Sequence, residues 1–150
     1  MQVSETLVES EVNEFAFFFC PRLARVKRHV DEHYAQPISL AEAAQIAALE
    51  RTYFCKYFHS KVGICFAEWV TRVRISRALL MLMSHDHGIT DLAFAVGFKD
   101  LRTFERAFKK FAGLTPRDCK KTVRCQVDAG TARADLRWEE IAPTVHDAKL

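Results

Sequence analysis

Two stretches of this chain carry the same ordered pattern of small and apolar residues. Leu40, Ala44, Ala48, Leu49, Phe54, Phe58 and Gly63 recur as Ile89, Ala93, Gly97, Phe98, Phe104, Phe108 and Gly113. The offset is 49 up to Leu49 and 50 from Phe54 onward, so the second copy has one extra residue at the junction of its two halves. A repeat constrains the fold more than any single segment does, because both copies must build the same supersecondary unit. Within each copy the apolar spacing is helical, and a glycine supplies the stop. In the first copy Ser39 and Glu42 form a capping-box pattern ahead of "LAEAAQIA". The expectation is a short helix, a tight turn and a second helix, at about 39–62 and again at about 89–112.

Between the copies, "CFAEWVTRVRISRALLMLM" at 65–83 contains neither Pro nor Gly. Phe66, Trp69, Val70, Val73 and Leu80, with Ala78 and Leu79 alongside, fit one face of a long amphipathic helix. At about 1.5 Å per residue this linker is about 27 Å long. Upstream, "RLARVKRHVDEHY" sets Leu23, Val26, Val30 and Tyr34 in a stripe after Pro21. Downstream, "TPRDCKK" predicts a short final helix with Pro116 in its first turn. The fold class is therefore all-α, with about seven helices in two homeodomain-like helix-turn-helix subdomains joined by a long linker helix. The domain spans residues 21–121, preceded by an acidic and aromatic segment at 1–20 and followed by an irregular tail at 122–150, with one helical turn near Trp138.

Charge is distributed unevenly. Residues 21–121 hold 18 Lys and Arg against 10 Asp and Glu, a net of +8, whereas residues 1–20 carry −4 and residues 122–150 carry −1. A basic middle region of this kind is the electrostatic footprint of a phosphate-binding module. Other classes are set aside. The apolar run "FAFFFC" at 15–20 is far shorter than the roughly 20 residues of a membrane span, and packing on the first helix is its expected role, with a partner surface as the alternative. The acidic N-terminus lacks the positive start of a signal peptide, so a cytoplasmic location is expected. Five cysteines with no CxxC pair suit a reduced compartment. Cys55 and His59 share a helical face, but Cys65 lies beyond the Gly63 break and a fourth ligand is lacking, so no metal is expected. His85 and His87 read as a polar turn. With no Gly-rich phosphate loop, nucleophile elbow or paired-carboxylate site, neither an enzyme nor a cofactor is expected.

The outward residues of the second helix in each copy are the candidate site. Phe104, Ala107, Phe108 and Phe111 point inward, leaving Leu101, Arg102, Glu105, Arg106, Lys109 and Lys110 outside. Arg106 can fork onto guanine and Glu105 can accept from a cytosine amino group. Lys109 and Lys110 suit phosphates, which fix register without reading sequence. Asp100 is placed to cap this helix. In the first copy Arg51, Thr52, Cys55, Lys56 and His59 face outward, a weaker hydrogen-bonding set in which Thr52 suits a thymine methyl and Lys56 guanine or phosphate. Two such helices flanking a rod of about 27 Å suit neighbouring major grooves of B-DNA, which lie about 34 Å apart.

The segments "SLAEAAQIAALERTYFCKYFHSKVG", "RVRISRALLML" and "ITDLAFAVGFKDLRTFERAFKKFAGLTPRD" resemble the C-terminal DNA-binding domain of AraC/XylS transcription regulators. The resemblance runs from about residue 22 to about residue 121. It implies recognition helices at about 51–61 and 101–111, and a sequence-specific regulator of double-stranded DNA, an activator more often than a repressor, that touches RNA polymerase. A short form without a sensing domain is expected, since about 20 residues precede the first helix, and the chain is expected to be nucleoid-associated and monomeric or weakly dimeric. The alternative is a helical protein-interaction module that does not use DNA. Two departures stand out: Glu50 where serine is usual, read as the loss of a good cap, and Ala48 where a turn glycine is usual, read as strain.

Overall fold

Pro21, with φ fixed by its ring and no amide to leave unpaired, opens the helix whose apolar stripe was evident in the sequence. The computed structural model describes residues 12–84 and 86–130. Among these residues the chain is all-helical, in the order α1 (Phe15–Phe19), α2 (Pro21–His33), α3 (Leu40–Ile46), α4 (Arg51–Val62), α5 (Phe66–Ser84), α6 (Ile89–Ala95), α7 (Leu101–Ala112) and α8 (Pro116–Asp128). The repeat is reproduced residue for residue. Helices α3 and α6 each have 7 residues, α4 and α7 each have 12, and the extra residue falls in the turn between them. Contacts divide the chain into two units, with the boundary between Thr71 and Arg72 inside α5.

The first unit is built on aromatic edges. Phe54 and Phe58 of α4 are fully buried. Their rings meet Phe66 at 5.6 and 5.4 Å in edge-to-face geometry, the arrangement favoured by ring quadrupoles. Leu23, Val26 and Val30 of α2 and Ala43 and Ala44 of α3 complete this core. The segment "FAFFF" forms α1, an eighth helix beyond the seven expected. It packs by one face only: Phe17 stacks on Trp69 at 5.0 Å, while Phe15, Phe18 and Phe19 are 69%, 81% and 79% exposed.

The second unit repeats the plan with Phe104 and Phe108 at its centre and Phe98 edge-on to Phe104 at 5.3 Å. Ile75, Ala78 and Leu82 of α5, Leu92 and Ala93 of α6, and Cys119 and Val123 of α8 surround them. Three expectations are corrected here. Leu80, assigned to the apolar face of the linker helix, is 57% exposed. Phe111 and Ala107 are half-buried rather than inward, and Phe111 instead lies beneath the guanidinium of Arg72, 5.1 Å away. The last helix continues seven residues past Lys121, because Cys119 and Val123 bury one face and Asp86 pairs with Lys120 and Arg124 on the other, each at 2.9 Å. Residues 122–128 of the expected irregular tail are therefore helical. The turn expected near Trp138, the assignment of His85 and the character of residues 1–11 lie outside the described residues.

Candidate nucleic-acid interface

Each of α4 and α7 is set by a left-handed residue in the preceding turn and a carboxylate at its N-cap. In the first unit the left-handed residue is Ala48, at φ 55°; in the second it is Gly97, at φ 98°. The two turns close with equivalent amide bonds, Leu49 N–H to Ala44 C=O at 2.9 Å and Phe98 N–H to Ala93 C=O at 3.0 Å. Ala48 pays a Cβ clash that Gly97 avoids. Arg22 steadies that turn by donating to the carbonyls of Ala47 and Ala48 at 3.3 and 3.0 Å.

The reading of Glu50 as a poor cap is corrected. Its Oε2 accepts from the amides of Thr52 and Tyr53 at 2.9 and 3.0 Å, satisfying two of the donors a helix start leaves open. These bonds hold its carboxyl below the ordinary value. Asp100 caps α7 as expected. It accepts from the Thr103 amide at 2.8 Å and the Thr103 hydroxyl at 2.9 Å, and the same bonds lower its pKa. At the other ends, Gly63 and Gly113 adopt left-handed φ values of 94° and 75° and donate to His59 and Lys109 carbonyls, which ends both helices at the same register.

On α4, Arg51, Thr52, Lys56 and His59 are exposed and Cys55 is half-buried. On α7, Arg102, Arg106, Lys109 and Lys110 are exposed, and Leu101 and Glu105 are half-buried. Among the described residues no salt bridge engages Arg51, Lys56, Arg102, Arg106 or Lys109. Lys110 is drawn to the rim, its ammonium 5.0 Å from the Phe111 ring centre. No group of three or more His, Cys, Asp or Glu side chains that could hold a metal occurs among the described residues.

Tyr53, Ser60, Thr115 and Arg117 are not among the residues singled out from the sequence. Tyr53, 57% exposed, lies on α4 with its ring stacked on Tyr57 at 6.1 Å. Its place one turn before Lys56 and Tyr57 was the available signal. In the second unit, Arg102, Glu105, Arg106 and Lys109 share an open recess with Thr115 and Arg117 from the start of α8. In the first, Cys55, Lys56, His59, Ser60 and Cys65 line another.

Each unit thus presents a capped helix with an apolar face inward and a cationic face outward, held by a short preceding helix and a tight turn, and so has the form of a helix-turn-helix module. A helix-turn-helix domain family profile matches residues 43–122. The chain belongs to this family, in its AraC type, which comprises DNA-binding transcription regulators rather than enzymes. It is 26% identical over 100 residues to the Msm operon regulatory protein of Streptococcus mutans, an alignment covering 67% of this chain and 36% of that protein. It is 27% identical over 100 residues to the HTH-type transcriptional regulator YdeC of Bacillus subtilis, covering 67% and 34%. The chain thus spans about a third of the length of these relatives. Among solved structures it resembles the C-terminal domain of AraT, a response regulator from Geobacillus stearothermophilus, with TM-score 0.64 and 26% identity over 68% of this chain and 85% of that one. The DNA-binding domain of AdpA, solved with a target DNA, shares the fold at TM-score 0.68 and 23% identity over 73% and 98%.

Proposed function

We propose that this chain binds double-stranded DNA sequence-specifically and regulates transcription, with α4 and α7 entering adjacent major grooves of one duplex. The observation that carries the reading is the row of exposed cations on α7, Arg102, Arg106 and Lys109, with no salt bridge to neutralise them among the described residues. Exposed positive charge in excess on one helix face attracts a polyanion and steers it to that face. Arg106 and Glu105 read bases, Lys109 and Lys110 hold phosphates, and Arg51, Thr52, Cys55, Lys56 and His59 supply a weaker second contact. The unequal faces favour an asymmetric site for a monomeric or weakly dimeric chain.

The resemblance noted in the sequence extends the reading to an activator that touches RNA polymerase and works in the cytoplasm, on the nucleoid. No helix among the described residues is long and apolar enough to cross a membrane. Protein contact is favoured at a second place by Phe15, Phe18 and Phe19, since clustered exposed aromatics mark interaction surfaces.

Binding profiles across single-base variants of a preferred duplex test the assignment. Arg106→Ala should cost about 1–3 kcal/mol and relax preference at one base pair. Lys109→Ala should weaken all duplexes alike. An unchanged profile for Arg106→Ala, or a loss confined to one base pair for Lys109→Ala, would reverse the two roles.

A further inference from the structure

The two recesses stand at the same place in the repeat. By the offset of 50 that relates α4 to α7, Cys55, Lys56, His59 and Cys65 correspond to Glu105, Arg106, Lys109 and Thr115. Cys65 and Thr115 each immediately precede the helix that follows, α5 or α8. Each unit therefore forms one recess between its recognition helix and the start of the next helix. Because the two sequences lining it are so different, the recess belongs to the backbone plan, and the side chains decide what it holds.

Their chemistry differs sharply. The second recess gathers Arg102, Arg106, Lys109 and Arg117 around the single carboxylate of Glu105. All four cations are exposed, and among the described residues none is in a salt bridge. Thr115 is occupied otherwise, its hydroxyl donating to Asp118 at 2.6 Å and accepting from the Asp118 amide at 3.2 Å. Like charges gathered this closely repel one another unless an outside anion joins them. In the first recess only Lys56 and His59 can carry positive charge, among Cys55, Ser60 and Cys65. The counterpart of Arg117 there is Ala67, which is exposed.

We infer that the second recess seats a phosphate of the DNA backbone, with Arg117, a residue outside both recognition helices, as the ligand that makes this unit the electrostatic anchor. The proposal rests on the DNA-binding reading above and assigns within it a phosphate contact that the recognition helix does not supply. The first unit, with Ala67 in the equivalent place, holds the backbone more weakly. Arg117 reads no base. Its guanidinium fixes the depth and register at which α7 meets the groove.

The full chain and its variants are titrated into a preferred duplex and an unselected duplex over a range of sodium chloride, with circular dichroism melting to establish folding. Arg117→Ala should weaken both duplexes alike and reduce the slope of log affinity against log salt by about 0.9. Its deficit should accordingly shrink about 3-fold between roughly 50 and 200 mM salt. Arg117→Lys should keep the slope. Ala67→Arg, which builds the missing cation into the first recess, should steepen the slope by a similar amount. Wild-type affinity and slope in Arg117→Ala, or a loss limited to one base pair, would overturn the phosphate seat. No gain from Ala67→Arg would overturn the equivalence of the two recesses. Arg106→Ala separates this from the broader reading: if the wild-type chain does not distinguish the duplexes and Arg106→Ala changes nothing, DNA reading itself fails.

Discussion

Ala48 is the one non-glycine residue with a positive φ among the described residues. It stands where a turn glycine is usual, which implied strain, and it shares a positive φ with Gly97, its counterpart in the repeat, at 55° and 98°. A left-handed conformation costs a non-glycine residue about 1–2 kcal/mol, partly offset by the looser unfolded chain a glycine would bring. Ala48→Gly should therefore raise stability by about 0.5–1 kcal/mol in urea denaturation; a loss would mean that the alanine methyl makes a contact its exposure does not suggest. Glu50 caps α4 better than its residue type implies. Serine is the commoner cap, but a glutamate whose chain folds back brings one oxygen to two amides, and composition cannot reveal that rotamer. The cysteines differ in the same local way. Cys119 is fully buried, and burial pushes its thiol up to about 11, so it should resist iodoacetamide in the native chain while exposed Cys65 and Cys125 react. Mass spectrometry of the alkylated chain checks this, and early labelling of Cys119 would place it outside the core.

At the scale of elements, periodic helices were legible and their ends less so. The stops of α4 and α7 at Gly63 and Gly113 are the exception, since a glycine stop is a local signal. The length of α8 was not legible, because what extends it comes from a loop: Asp86, 38 residues before Arg124, accepts from that guanidinium and from Lys120. These two cations hold the Asp86 carboxyl at about 2, below its ordinary 3.8. A carboxyl with a depressed folded-state pKa stabilises fully above its unfolded value and loses that contribution as pH falls toward the folded one. The melting temperature of wild type should exceed that of Asp86→Asn at neutral pH, and the gap should close between about pH 4 and pH 2. A gap independent of pH would assign the ion pairs no role. Equivalent core positions should behave alike, so Phe54→Ala and Phe104→Ala should each cost about 3–5 kcal/mol in chemical denaturation. α1 was invisible as a helix, since five residues with no cap and four phenylalanines offer no period.

At the scale of the molecule, the repeat carried most of the fold, and the excess of cations on its second copy pointed to the candidate site. What remained hidden was which charges share a space. Arg117 lies beyond the glycine that ends α7, and only the chain's path into α8 brings it to the recess of Arg102 and Arg106. The central claim, that two unequal helices of one chain read one duplex, is tested most directly by selecting bound duplexes from a random pool. The selected sequences should share an asymmetric site with two contacted segments about one helical turn, roughly 10 base pairs, apart. Failure of any sequence to enrich, or enrichment of a single short segment with no second contact one turn away, would contradict the claim.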